Sequence, residues 1–343
     1  MTSVKLRPMA AYRGIRVLSW DANVLYSCRR YEIVRLTQDR TWEQVARFEP
    51  VWWRSITARA NLSHRLVRDG FHALAVLGDG TMIGAVPGAI VTCKQGSENF
   101  EPTHTVLRGT RPLHITQVPS GEIYWGEYFD NRERAEVHIY ASSDRGQTWL
   151  VGHTFPAGSI RHVHNILYDR WADCLWILTG DNGAECKVLR ASCDLQSWET
   201  VLEGNQQARA VAAILTKEAV YLATDTPYEQ NHVYRMERSG RLDRISDLNN
   251  SSIYGCQVGD ALFFSTMVEP SAVNTDREVH LVGARVENDW QTLMRWKKDR
   301  FPQRYFQYGN AILPDGENAS SILAATTIAV GQDDLTTTLW QVE

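Results

Sequence analysis

Aromatic residues close turns at a regular interval along this chain: Phe100, Trp149 and Trp198 stand forty-nine residues apart, with Trp42 before them and Trp290 after. Leu242 fills the remaining slot. A period of about 50 residues marks a circular or stacked array, because one unit cannot bury the apolar faces of its own sheet and must lean on its neighbours. The turn closed by Trp149 is the most regular, reading Ser142-Ser143-Asp144-Arg145-Gly146-Gln147-Thr148-Trp149. Asp144 can accept several backbone N–H bonds across it, Gly146 can take positive φ, and the Trp149 indole can pack between units. Degenerate copies occur at Ser192–Trp198, one residue short and without the glycine, and at Asp39–Trp42.

A second repeat supports the first. Paired apolar runs around a turn occur at Arg16–Cys28, Ala73–Ala85, Ile115–Gly126, Ile166–Gly180, Val211–Thr224, Tyr254–Thr266 and Ala311–Thr326, the last around Pro314-Asp315-Gly316. Each predicts the two inner strands of a four-stranded unit. After the seventh hairpin only one more strand fits, Thr336–Val342, so residues around Val4–Met9 are expected to supply the missing outer strand. The expected fold is all-β: a seven-bladed β-propeller with four-stranded antiparallel blades, closed by the N-terminal strand, as a single domain over residues 1–343. At 43% hydrophobic, the chain can bury such a core, and the repeats leave no linker for a second domain.

The Ser142–Trp149 segment matches the pattern Ser-X-Asp-X-Gly-X-Thr-Trp, and on it the chain resembles the Asp-box (BNR-repeat) β-propellers of the sialidase superfamily, including bacterial members of the glycosyl hydrolase kind. That resemblance implies boxes on one face and a ligand on the other, at the mouth of the central channel. The ligand face is built from the starts of first strands and the ends of second strands. The chain departs from true sialidases in lacking a Phe-Arg-Ile-Pro segment, for which Arg13-Gly14-Ile15 is a poor substitute. Sialic acid is therefore not the first expected substrate.

The positions that the resemblance singles out carry a polar set. Units one and two offer Arg29, Arg30, Arg68 and His72; unit three offers Arg111, His114, Glu127 and Tyr128. Unit four offers Arg161, His162, His164 and Asp181; unit five offers Gln206, Arg209, Asp225, Tyr228, Glu229 and Asn231; unit seven offers Arg304 and Tyr308. Carboxylates, arginines, histidines and aromatics gathered at one mouth suit a sugar, whose rings stack on aromatics and whose acid groups pair with arginine. Loop-facing strand ends are also polar in any propeller, which is the bland reading of the same residues.

Alternation puts His162 and His164 on one side of a strand, where they can act as an acid/base pair, anchor a hydroxyl, bind a metal or simply bond to the adjacent unit. Asp181 and Asp225 follow Thr179-Gly180 and Thr224 at equivalent strand ends, and Glu127 is their counterpart in unit three. The three are the candidate acid, base or nucleophile of glycoside hydrolysis; capping of their own turns is the alternative. Arg111, Arg209 and Arg304 would hold an acidic sugar, with Tyr128, Tyr228 and Tyr308 as stacking or hydroxyl contacts. The expected function is hydrolysis of an acidic or complex bacterial oligosaccharide. Lytic cleavage of a uronate polysaccharide, through His162, His164, Tyr308 and Arg209, is the alternative, as is non-catalytic binding of a glycan or protein.

Net charge of −4 argues against nucleic acid, which needs a basic face. The start Met1–Pro8 lacks the apolar core of a signal peptide and nothing later approaches a membrane-spanning run, so no membrane association and a cytoplasmic location are expected. Six cysteines without CxxC spacing disfavour zinc, and neither metal nor cofactor is expected. The oligomeric state is left open.

Overall fold

The computed structural model describes residues 3–58, 61–285 and 289–343. Among them the strands form six sheets, five of four strands and one of nine. Antiparallel four-strand units follow one another along the chain. Unit one comprises Arg16–Ala22, Val24–Arg29, Glu32–Leu36 and Trp42–Phe48, and unit two Ala73–Val76, Met82–Val86, Ala89–Cys93 and Asn99–Thr105. Units one and two share the nine-stranded sheet through a short parallel contact of Arg47 and Phe48 with Asn99 and Phe100. Unit three runs from Thr116 to Phe155, unit four from His162 to Glu203, unit five from Ala210 to Leu248 and unit six from Ser252 to Lys297. A seventh group joins Asn310–Ile312, Ile322–Ile328 and Thr336–Val342, and Leu6–Arg13 pairs antiparallel on its outer edge, Leu6 opposite Val342 and Arg13 opposite Thr336.

Burial follows position in the unit. Ala210–Leu215 and Val220–Thr224 are inner strands buried almost throughout, whereas the outer strand Leu150–Phe155 is mostly exposed. Inner strands are walled by neighbours on both faces and so read as unbroken apolar runs. Each core cluster is accordingly shared between successive units: Tyr124 and Ile139 pack with Leu175 and Ile177, and Trp176 with Leu222. The seventh group packs on the first in the same way, Ala324 and Leu339 against Val17 and Trp20. Polar links run the same way round: Asn165 Nδ2 donates to Val211 O at 3.0 Å, Ser265 Oγ to Ala311 O at 2.5 Å, and Val17 N–H to Thr326 Oγ1 at 2.9 Å.

The turn at Ser142–Trp149 shows how local chemistry sets the unit. Asp144 Oδ1 accepts from the Gln147 and Thr148 amides at 3.0 and 2.9 Å and from Ser142 Oγ at 2.8 Å, while Oδ2 accepts from Thr148 Oγ1 at 2.6 Å. Gly146 sits at φ +76°, and Trp149 packs edge-on to Trp125 at 6.2 Å between centroids.

Two features depart from the sequence expectation. Pro314-Asp315-Gly316 is not a simple hairpin turn: Asp315–Asn318 adds a parallel strand to Ser19–Ala22 of unit one. Its acidic side chains find partners across the molecule, Asp315 Oδ2 lying 2.9 Å from His114 Nδ1 before unit three and Glu317 accepting from Arg170 in unit four at 2.6 Å. Helices Trp52–Thr57 and Asn61–Val67 also interrupt the chain between units one and two. Arg65, only 2% exposed, pins this insert by bonds to Asp299 at 2.6 Å, Asp334 at 3.2 Å and Phe306 O at 2.9 Å. No described helix is long and apolar enough to cross a membrane.

Candidate functional site

Unit four opens on His162, whose pairing with Gly180 sets Asp181 beside it. The pairing register slips between Val163 and Asn165, and Gly180 leaves room for the His164 ring, since a Cβ there would stand 2.5 Å from its Cε1. His162 Nδ1 lies 2.9 Å from Phe129 O and His164 Nδ1 2.9 Å from Ala210 O. Carbonyls only accept, so both Nδ1 atoms carry hydrogens. The two Nε2 atoms then face each other at 3.0 Å, with Asp181 Oδ1 at 3.2 Å from His164 and 3.5 Å from His162. Arg161 grips Asp181 Oδ2 at 2.8 Å, and Arg209 stands 3.4 Å from Oδ1. Burial opposes the Asp181 charge, yet the imidazoles and Arg209 prevail and hold its carboxyl well below the usual carboxylate range. Burial also lowers the affinity of His164 for a second proton.

The neighbouring unit supplies a carboxyl of opposite character. Asp225 is buried, and although Arg209 approaches it at 3.4 Å, desolvation pushes its pKa up to about 7, with Glu269 and Asp181 adding to the rise. Asp181 and Asp225 each stand 3.4 Å from one Arg209 nitrogen, so this guanidinium lies between the two carboxylates. Beyond them, in unit six, burial raises Glu269, which bonds to Tyr308; burial and Glu269 raise Tyr308 in turn. Tyr128 covers the imidazoles, its ring centroid 4.4 Å from that of His162. Burial, then Asp181 and Asp225, drive its phenol well above the ordinary value.

A second group of charges is cationic. Arg111 is 8% exposed, and no described carboxylate pairs with it; burial and the like charges of Arg16, Arg68 and Arg54 all weaken its hold on its proton. Arg16 is turned inward, its Nη1 3.0 Å from His72 Nδ1 and its buried Nε without a partner. Arg68 opposes the rise in Tyr308, so this hydroxyl feels charges of both signs.

The remaining expected residues divide. Glu127 does not join Asp181 and Asp225: Arg108 binds both its oxygens, and its Oε2 also accepts the His138 amide at 2.8 Å. His114 is engaged by Asp315. Gln206 supports the site from behind, donating to Asp181 O at 3.2 Å and accepting from Thr226 Oγ1 at 2.7 Å. Asn231 is consumed in the loop after Asp225, accepting from Thr226 N–H and Thr224 Oγ1 at 2.9 Å each. Glu229 bonds to Gln207 at the surface, and Tyr228 is 63% exposed on the rim. The side chain of Arg304 lies outside the described residues. The sequence reading missed Arg16 and Glu269. A signal for Glu269 was present, since Thr266 ends its second strand as Thr224 ends that of unit five.

No family model matches the chain, and no curated protein matches it. Solved structures do. A streptogramin B lyase structure aligns with TM-score 0.59 at 10% identity, over 99% of this chain and 97% of that one. The Myceliophteria thermophila Cps50 (Swd1) β-propeller domain aligns with TM-score 0.61 at 10% identity, over 98% of this chain and all of that one. A chain of the mitotic checkpoint complex aligns with TM-score 0.58, again at 10% identity, over 97% and 94%. Likeness at this identity speaks to fold, and the fold is a β-propeller.

Proposed function

We propose that this propeller binds an anionic saccharide across the channel mouth and cleaves it by glycoside hydrolysis. The observation that carries the reading is Arg111: a guanidinium 8% exposed, without a described carboxylate partner and facing like charges. A buried unpaired cation is strongly unfavourable unless an anion completes it. A uronate or other acid group between Arg111, Arg16 and Arg68 supplies that anion. The rest of the ligand then reaches Tyr308 and the carboxylates.

Asp225 suits the proton donor, because its raised pKa favours the protonated form up to about neutrality, and glycosidic cleavage pairs such a donor with a second carboxyl that accepts a proton. Glu269, bonded to Tyr308, is the proton acceptor. In this reading the four-strand units make a closed seven-bladed ring of the Asp-box, sialidase-superfamily kind, supported by the Ser142–Trp149 turn and by Leu6–Arg13 on the last sheet. A cytoplasmic location belongs to the same proposal and is supported by six unpaired cysteines.

The test is a panel of uronate-containing and neutral oligosaccharides. Wild type should release reducing ends from acidic members without gaining ultraviolet absorbance. Asp225→Asn and Glu269→Gln should bind but not turn over, and Arg111→Gln should lose binding. An unsaturated product would replace hydrolysis by lyase chemistry. Binding without any turnover would leave a glycan-recognition propeller, and indifference of binding to Arg111→Gln would overturn the reading altogether.

A further inference from the structure

We propose that His162 Nε2, His164 Nε2 and Asp181 Oδ1 form a site for one divalent transition-metal cation. The three atoms mark a triangle with sides of 3.0, 3.2 and 3.5 Å. Both imidazoles commit their Nδ1–H groups to the carbonyls of Phe129 and Ala210, so the Nε2 atom of each is the one left to offer a lone pair inward. The carboxylate has only lone pairs to add.

Protons cannot satisfy this triangle. One proton on either ring serves the two sides that meet at its nitrogen and leaves the third as facing lone pairs. A proton on each ring sets two N–H groups against each other at 3.0 Å. A cation at the centre satisfies all three sides together. Ligand atoms about 2.1 Å from a shared ion stand about 3.0 Å apart at a right angle and about 3.4 Å apart at the tetrahedral angle. The three sides lie close to that range before any ion is present.

The surroundings fit the same reading. Imidazoles backed by carbonyls through their other nitrogen have fixed tautomers and orientations, the support that metal-binding histidines generally have. Arg161 takes Oδ2, Arg209 approaches Oδ1 only at 3.4 Å, and both arginines have further carboxylates, Arg161 with Asp130 at 2.5 Å and Arg209 with Asp225 at 3.4 Å. Two imidazoles and one carboxylate select zinc, iron, cobalt, nickel or manganese over magnesium and calcium. A second group, Asp276, Glu278 and His280, also gathers ligand atoms, but Asp276 is spent on its own turn, accepting the Glu278 amide at 2.9 Å and Asn249 at 3.0 Å. It therefore serves as the control.

The site does not depend on the cleavage reading, and its test uses the ion alone. Chelator-treated full-length protein is titrated with Co²⁺, followed by its visible absorption bands, and with Zn²⁺, followed by calorimetry. One equivalent should bind, His162→Gln and His164→Gln should each weaken binding about tenfold or more, and His280→Gln should leave it unchanged. Thermal melts without metal establish that each variant folds. Failure of the wild-type chain to bind either ion, or loss on His280→Gln with both other variants intact, overturns the proposal; neither outcome touches saccharide binding at Arg111.

Discussion

Two aspartates at equivalent strand ends have opposite ionisation because their neighbours differ. Asp181 has two imidazoles and two arginines; Asp225 has a single arginine at 3.4 Å inside a buried pocket that Asp181 and Glu269 also charge negatively. The sequence showed both as Asp after a strand-ending Thr or Thr-Gly and could not tell them apart, since burial and the reach of Arg209 are set by the fold. It also could not show that Arg108 would claim Glu127. Asp225 makes a prediction with a definite sign. Its folded pKa of about 7 lies above the unfolded value of about 3.9, so the native state holds an extra proton between roughly pH 4 and 7. Stability from this group is complete below that window and is lost as pH rises through it, by at most about 1.4 kcal/mol per pH unit. Thermal melts of wild type against Asp225→Asn should differ in this slope, the variant gaining relative stability toward pH 8. Wild-type turnover should fall later, as pH rises through about 7 and the folded donor loses its proton, and a stability profile unchanged by the substitution would deny Asp225 its raised proton affinity.

At the scale of elements, hairpins and turns were the most legible features, because their signals are local. Period-two alternation and turn residues located the inner strands of units one to six, and Ser142–Trp149 forms the turn its residues imply. What could not be read was the partner of a segment whose signal is only composition. Pro314-Asp315-Gly316 looks like a turn, yet the following residues pair in parallel with Ser19–Ala22, a contact nearly three hundred positions away in sequence. The helical insert before unit two was missed for a similar reason: its anchor, Arg65, meets Asp299 and Asp334 only in the folded chain. The turn prediction is direct. Asp144→Ala removes four hydrogen bonds at an exposed site, so destabilisation of about 1–2 kcal/mol is expected. Denaturant melts should show it.

For the whole molecule, the closed ring proposed above would have the two ends of the described chain hold its last joint. Leu6–Arg13 is the outer strand beside Thr336–Val342, the Lys5 amide donates to Glu343 O at 3.0 Å, and the Glu343 amide returns to Lys5 O at 2.9 Å. The seventh group then meets the first through Ala324, Leu339, Val17 and Trp20. An open array would not be held at this point, and its terminal strand could be shed with loss of one unit's packing only. In a closed ring every unit leans on two others, so unlatching one joint weakens all of them. Deleting residues 1–13 should therefore lower the melting temperature by well over 5 °C and broaden or split the transition, a change on the order of several kcal/mol for lost strand pairing and apolar burial. The same deletion should loosen the distant mouth, because Arg16 of the first unit stands beside Arg111 of the third, and saccharide binding should weaken with it. A truncated chain that melts as sharply and as high as the full one would mean that the N-terminal strand decorates the last sheet without closing the ring.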